Sequence, residues 1–296
     1  MRTIKSTVAG PFIFTAYMTL IKGARPIKLS EVLEHYQTHE YVNVELSHYT
    51  QLWRDWLTST KFKTIAGLDQ FKYADYTCGT SQTFDHFVIK HARKEIAVLR
   101  GDFQYHACVA RPNQFTYITD TVHAGQALII SLPFSDFGHE HPQFKSILNQ
   151  CNQLGVPVCL DLAYWGIAKN THIDLDQYPC ITEITSSLSK PFYTLENHRV
   201  GVRFSREYQN DGISMINEVK MQNTFSMSLG CHFMEKYSAD WAWKELYDQY
   251  QDICLKNNLT TTDTLIFALG DQERHSDFNR GIADNFRVCI SELFKT

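Results

Sequence analysis

The spacing of apolar residues changes along the chain, and each change marks an element. Ala127-Leu128-Ile129-Ile130-Ser131-Leu132 is apolar at nearly every position, as expected of a strand covered on both faces of a parallel sheet. Val156–Leu162, Cys180–Thr185 and Val200–Ser205 read as further strands, and so do Phe71–Thr77, Glu95–Leu99 and Phe115–Thr119. Between them the period lengthens. Thr83–Arg93 carries Phe84, Phe87, Val88 and His91 at helical spacing, Pro142–Leu154 is helical, and Tyr105–Ala110 makes a short helix or turn. Strands alternating with helices predict an α/β fold with a mostly parallel sheet covered on both faces.

The flanks follow a different pattern. Phe12–Ile21 looks like a strand, Ser30-Glu31-Val32-Leu33-Glu34 opens a helix with Ser30 as its cap, and Leu46–Leu57 is helical. After Asp211 come two long helical stretches, Gly212–Tyr237 and Ala239–Asn257, broken near Ser238. Thr264–Leu269 and Phe286–Ser291 then read as short strands of a small C-terminal α+β domain. This gives an N-terminal segment over 1–59, a large domain over 60–211, and interdomain helices with the small domain over 212–296.

Composition narrows the function classes. The formal net charge of -4 gives no basic balance to hold nucleic acid. None of the eight cysteines forms a C-x-x-C pair, so they read as reduced thiols and not as a zinc ribbon or redox motif. Arg2 and Lys5 precede an apolar stretch, Val8–Ile21. It is diluted by Pro11, Thr15, Tyr17 and Thr19 and is followed by no A-x-A-like site, so it reads as a buried strand or hairpin of a cytoplasmic chain and not as a leader or membrane span. Asp136, His139, Glu140 and His141 lack clean metal-ligand spacing and read as a solvated loop, so no metal is expected. Trp241, Trp243, Leu246, Tyr247 and Tyr250 form an aromatic helix stripe, read as core or interface.

Candidate chemistry gathers around Lys190. It follows a strand-like run in Ile184-Thr185-Ser186-Ser187-Leu188-Ser189-Lys190-Pro191-Phe192, and Arg199 opens the next strand in His198-Arg199-Val200-Gly201. Asp161 ends the apolar run Val156–Leu162, at the edge where parallel sheets bind ligands. Gly79-Thr80-Ser81 joins a strand to a helix, where backbone N–H groups can face an anion. Alone, Lys190 could be a surface lysine at a strand end. Together the residues meet the needs of pyridoxal 5'-phosphate (PLP): a lysine for its aldehyde, a carboxylate for its ring nitrogen, an anion site and a flat group against the ring.

These stretches, with Val158-Cys159-Leu160-Asp161-Leu162-Ala163-Tyr164-Trp165-Gly166 and Phe286-Arg287-Val288-Cys289-Ile290-Ser291, resemble the fold-type I PLP-dependent enzymes, in particular the class I/II aminotransferases. The resemblance implies a seven-stranded-type sheet and a role for each matching residue. Lys190 is implied as the Schiff-base lysine and proton shuttle, Asp161 as the partner of the pyridinium, and Tyr164 as a hydrogen bond to the ring hydroxyl. Phe103 is implied as the ring-stacking aromatic, with Tyr105 as the fallback and His106 as support for Asp161. Gly79, Thr80, Ser81, Ser187 and Arg199 are implied at the phosphate, and Arg287 at the substrate carboxylate. The family's Asn-Pro-x-Gly turn is replaced by Pro133-Phe134-Ser135-Asp136-Phe137-Gly138, so Ser135 stands where an asparagine usually meets the ring hydroxyl. The chain is also shorter than the family usually runs, chiefly in the N-terminal segment and small domain. The expected protein is a homodimeric aminotransferase acting on an amino acid and a 2-oxo acid. A PLP lyase, decarboxylase or racemase, and a non-catalytic binding member, stay open as alternatives.

Overall fold

The computed structural model describes residues 20, 21, 23–111 and 115–295. The strand expected from Phe12 therefore lies mostly outside the described residues; its last position, Ile21, forms an antiparallel bridge to Cys289. In chain order the elements are α1 (Ser30–Gln37), α2 (Leu46–Thr58), β1 (Thr64–Ala66), β2 (Tyr73–Cys78), α3 (Thr80–Lys90), β3 (Glu95–Leu99) and α4 (Gln104–Ala110). Then come β4 (Phe115–Ile118), β5 (Gln126–Ser131), α5 (Phe144–Leu154), β6 (Val158–Asp161), β7 (His172–Asp174), β8 (Ile181–Ser187) and β9 (Val200–Ser205). The last part holds α6 (Gly212–Glu218), α7 (Thr224–Lys236), α8 (Trp241–Lys256), β10 (Thr260–Thr261), β11 (Phe267–Leu269), α9 (Gln272–His275) and β12 (Arg287–Cys289).

Seven strands make the central sheet, in the order β2-β9-β8-β6-β5-β3-β4. All are parallel except β9, which runs antiparallel to both β2 and β8. The apolar runs end up where their composition requires: every residue of β5 and β6 is buried, because helices cover both faces. A second core forms where α8 packs on the β10-β11-β12 sheet, and it takes in the Trp243 and Tyr250 stripe together with Ile27, Tyr164 and Ile167. Tyr164 thus stands between this core and the central sheet.

Several expected boundaries move. Ser30 is the first residue of α1 and not its cap. Leu29 holds the cap position with extended backbone and no capping side chain, because it packs into the core. The stretch Gly212–Tyr237 is two helices. Lys220 adopts a left-handed φ of 57° after α6, and Asn223 caps α7 by accepting from the Ser226 amide. Neither Gly nor Pro marks that break in the sequence. The small parallel pair of β1 and β7, three residues each, carried no readable alternation. Asp136 is fully buried, so the loop read as solvated is not solvated at that residue. Asn285 donates to its side chain at 2.8 Å, and Arg280 lies 3.2 Å away.

β9 also carries a buried cation. Arg203 Nη2 donates to Asp75 Oδ2 on β2 at 2.6 Å, and its Nη1 pairs with Asp211 at the start of α6. Glu183 on β8 lies 3.9 Å from the same guanidinium. The arginine ties β9 to its two neighbours from the middle of the strand, where it pairs in register with Asp75 and Thr185. Arg203→Met removes the cation and leaves three carboxylates facing one another. The free energy of unfolding in urea should then fall by about 3–5 kcal/mol. A loss under about 1 kcal/mol would show that the network does not hold the strand.

Candidate active site

Because β2, β8, β6, β5 and β3 run the same way, their C-terminal ends share one sheet edge, and β9 starts there. Ser187 at the end of β8 pairs with Gly201, and Gly201 with Thr77 near the end of β2. The connection from β8 to β9 leaves and re-enters the sheet at this edge, where the Leu188 amide donates to the Val200 carbonyl. Lys190 and Arg199 lie near its two ends and so are neighbours. The helix α3 begins immediately after β2, bringing Thr80 and Ser81 to the same place.

The close approach depends on two glycines. Gly79 has φ 73° and ψ 178°, and a Cβ on it would meet the Arg199 guanidinium at 2.8 Å. A Cβ on Gly201 would meet the Gly79 Cα at 2.8 Å. Arg199 is itself left-handed, at φ 56°, a backbone cost of roughly 1–2 kcal/mol. That geometry accompanies a 2.6 Å hydrogen bond from its Nη2 to Ser81 Oγ. The result is a cavity of about 240 Å³ lined by Thr80, Ser81, Phe103, Tyr105, Asp161, Ala163, Tyr164, Ser189, Lys190 and Arg199.

Lys190 donates to the Ala24 carbonyl at 2.8 Å. Burial lowers its pKa below the ordinary lysine range, an effect that Glu196 opposes. Asp161, 3% exposed, accepts from the Ala163 amide at 2.9 Å. His106 Nε2 lies 3.4 Å from Asp161 Oδ2, and His106 Nδ1 lies 3.6 Å from Asp102 Oδ2. Burial alone would depress the histidine, but Asp102 and then Asp161 outweigh it and lift its pKa to about 9. Phe103, at the start of α4, presents its ring to the same cavity. It stacks on Tyr105 at 25° and meets His106 edge-on. The Tyr105 hydroxyl is engaged elsewhere, donating to Asp85 at 2.8 Å.

Beyond Phe103 and Tyr164 a second cavity opens, of about 480 Å³, whose walls include Gly23, Ala24, Asp102, Ser135, Arg280 and Arg287. Arg287 Nη1 donates to the Ser135 carbonyl at 2.9 Å, and burial lowers its pKa. The Tyr164 hydroxyl lies 3.5 Å from Ser135 Oγ, and burial raises its pKa. The two cavities share Phe103 and Tyr164, so one site has a lysine end and an arginine end.

Thus Lys190, Asp161, Tyr164, Thr80, Ser81, Phe103 and Arg199 come together around one cavity, and Ser135 and Arg287 line its neighbour. Gly79 shapes the turn from behind. Ser187 stands behind the wall: its Oγ accepts from the Ser189 amide at 3.1 Å, and Ser189 lines the cavity. Ser189, Asp102 and Arg280 were not singled out from the sequence. Ser189 sat unchosen inside the quoted motif. Asp102 precedes His106 by one helical turn, a spacing that could have flagged it. Arg280 comes from an irregular segment with no pattern to read.

No protein-family model and no curated protein sequence matches the chain. Solved structures do. A PLP-bound putative aminotransferase from Clostridium difficile 630 is similar over 88% of this chain and 84% of its own, with a TM-score of 0.65 at 10% identity. A PLP-bound C-S lyase from Staphylococcus hominis is similar over 89% and 84%, at 0.63 and 12%. Tyrosine aminotransferase from Leishmania infantum is similar over 91% and 87%, at 0.60 and 14%. The shared property is the fold: the chain has the α/β fold of the PLP-dependent transferases, a mostly parallel central sheet flanked by helices.

Proposed function

We propose that the protein is a PLP-dependent enzyme that moves an amino group from an amino acid to a 2-oxo acid. One observation carries the reading: a single cavity gathers a half-buried lysine, a buried carboxylate, an arginine with two hydroxyls at a helix start, and an aromatic ring. These groups fit the cofactor part by part. Lys190 is half-buried, and desolvation lowers its pKa from the ordinary lysine value, in the direction that an amine attacking an aldehyde requires. Arg199, Thr80 and Ser81 offer a cation, hydroxyls and the first turn of α3 to a phosphate, with Gly79 shaping the turn and Ser187 bracing Ser189 beside it. Asp161 would face the ring nitrogen and favour its protonated form. Phe103 would pack on one ring face, and Tyr164 with Ser135 would meet the ring hydroxyl. When bound, PLP supplies an aldehyde and an electron-accepting ring.

The remaining roles belong to the chain. Lys190 carries a proton to and from the reacting carbon. Arg287 holds the substrate carboxylate. A homodimer and a cytoplasmic setting go with this reading. The same residues also serve elimination, decarboxylation or racemisation, and the product decides among them.

Purified protein should turn yellow with added PLP, and borohydride should fix the cofactor covalently on Lys190. Protein that stays colourless and unlabelled removes the proposal. Lys190→Ala should keep its fold by circular dichroism and lose the covalent label.

Arg199→Ala removes the guanidinium and should weaken PLP binding about tenfold to a hundredfold, the loss of one or two charge-assisted hydrogen bonds. Spectroscopic titration measures it, and unchanged affinity would take Arg199 out of the anion site. Incubation with amino acids and a 2-oxo acid should yield a new amino acid. Carbon dioxide or a side-chain fragment in its place would assign the reaction to a decarboxylase or lyase.

A further inference from the structure

His106 has a carboxylate oxygen facing each ring nitrogen: Asp161 at 3.4 Å and Asp102 at 3.6 Å. Neither oxygen can donate when ionised, so both ring nitrogens must carry hydrogen to satisfy the pair. All three side chains are buried. The distances are longer than tight hydrogen bonds, which makes the contacts chiefly Coulombic.

Asp102 does more than face the histidine. Its Oδ1 accepts from the Phe103 amide at 2.7 Å, and its Oδ2 accepts from the Ser131 amide at 2.9 Å. Phe103 is the ring presented to the cavity. Ser131 ends β5 directly opposite Asp161 in register, and its hydroxyl lies 3.5 Å from Asp161 Oδ2. One carboxylate therefore fixes the aromatic wall, the strand end beside Asp161, and the residue behind Asp161.

We propose that Asp102 is a positioning residue of this site, setting the orientation and charge of His106 and tying the Phe103 turn to the strand end beside Asp161.

The charge count gives the reason. Without Asp102, a protonated His106 neutralises Asp161, and the pair offers no net charge to the cavity. With Asp102 ionised, the three groups sum to one negative charge. That is what a single cationic ring nitrogen requires, so the inference rests on the PLP reading of the cavity. The charged groups acting on His106 are Asp102 and Asp161, while the rings of Phe84 and Phe103 pack against it edge-on. Asp136 and His141 are further titratable groups that interact with Asp102. The raised His106 pKa, about 9, agrees with this geometry, and Asp102 is the larger of the two carboxylate contributions.

The test has two arms, one independent of PLP. Nitrogen NMR of the histidines in ligand-free protein should show His106 protonated on both nitrogens at about pH 8, above the ordinary histidine range. In Asp102→Asn its midpoint should fall by about one unit or more, a tenfold loss of proton affinity. A neutral His106 in the wild type, or an unmoved midpoint in the variant, overturns the proposal. If Asp102→Asn does not fold, the wild-type spectrum alone decides. In the second arm, Asp102→Asn should weaken PLP binding about tenfold in the native background but less than about twofold in His106→Gln, because the effect runs through the histidine. Equal losses in both backgrounds reduce Asp102 to a structural brace. A wild-type protein that takes up no PLP removes the site reading instead, while the histidine titration still decides whether Asp102 charges His106.

Discussion

The antiparallel entry of β9 between β2 and β8 is the constraint on which the candidate site depends. A parallel neighbour would need a long crossover and would return to the sheet at its far edge. The short return from β8 brings the chain back at the same edge, so Arg199 arrives beside Lys190 and over the turn after β2. Pairing of Ser187 with Gly201 and of Gly201 with Thr77 fixes that approach to the spacing of adjacent strands. The rest follows from it: Gly79 and Gly201 must lack side chains, Arg199 must be left-handed, and α3 must start against the guanidinium.

Charge is distributed along the site in a matching way. At the lysine end, His106 sits between Asp102 and Asp161, and Lys190 and Arg199 line the same cavity. At the arginine end, Arg280 and Arg287 flank the buried Asp136 and the sum is positive. Asp161 and Arg287 sit at strand ends and His106 in the first turn of α4, where neighbouring backbone pins them, so little reorganisation is needed there to hold a charged ligand.

Much of this was legible in sequence for a physical reason. Strands buried on both faces must be apolar throughout, so polar residues at their ends, such as Asp161 and Ser187, stand out. Turns such as Gly79-Thr80-Ser81 carry local signals. Elements held by tertiary contact carry none. β1 and β7 are three residues each, Asn223 starts a helix after an unmarked break, and the burial of Asp136 depends on Asn285 and Arg280, roughly 150 residues away. The one-turn spacing of Asp102 to His106 is a local signal, but its bond to Ser131 exists only once the sheet has formed.

The 2.8 Å bond from Lys190 to the carbonyl of Ala24 gives the chain a molecular stand-in of its own. Any ligand that takes the amine must displace a backbone acceptor, which sets roughly 0.5–1.5 kcal/mol against its binding. Two hydrogen bonds between Ile21 and Cys289 anchor that acceptor only three residues away, next to the strand that carries Arg287. Taking the amine at Lys190 would therefore leave the Ala24 carbonyl in need of another donor, three residues from that anchored bridge.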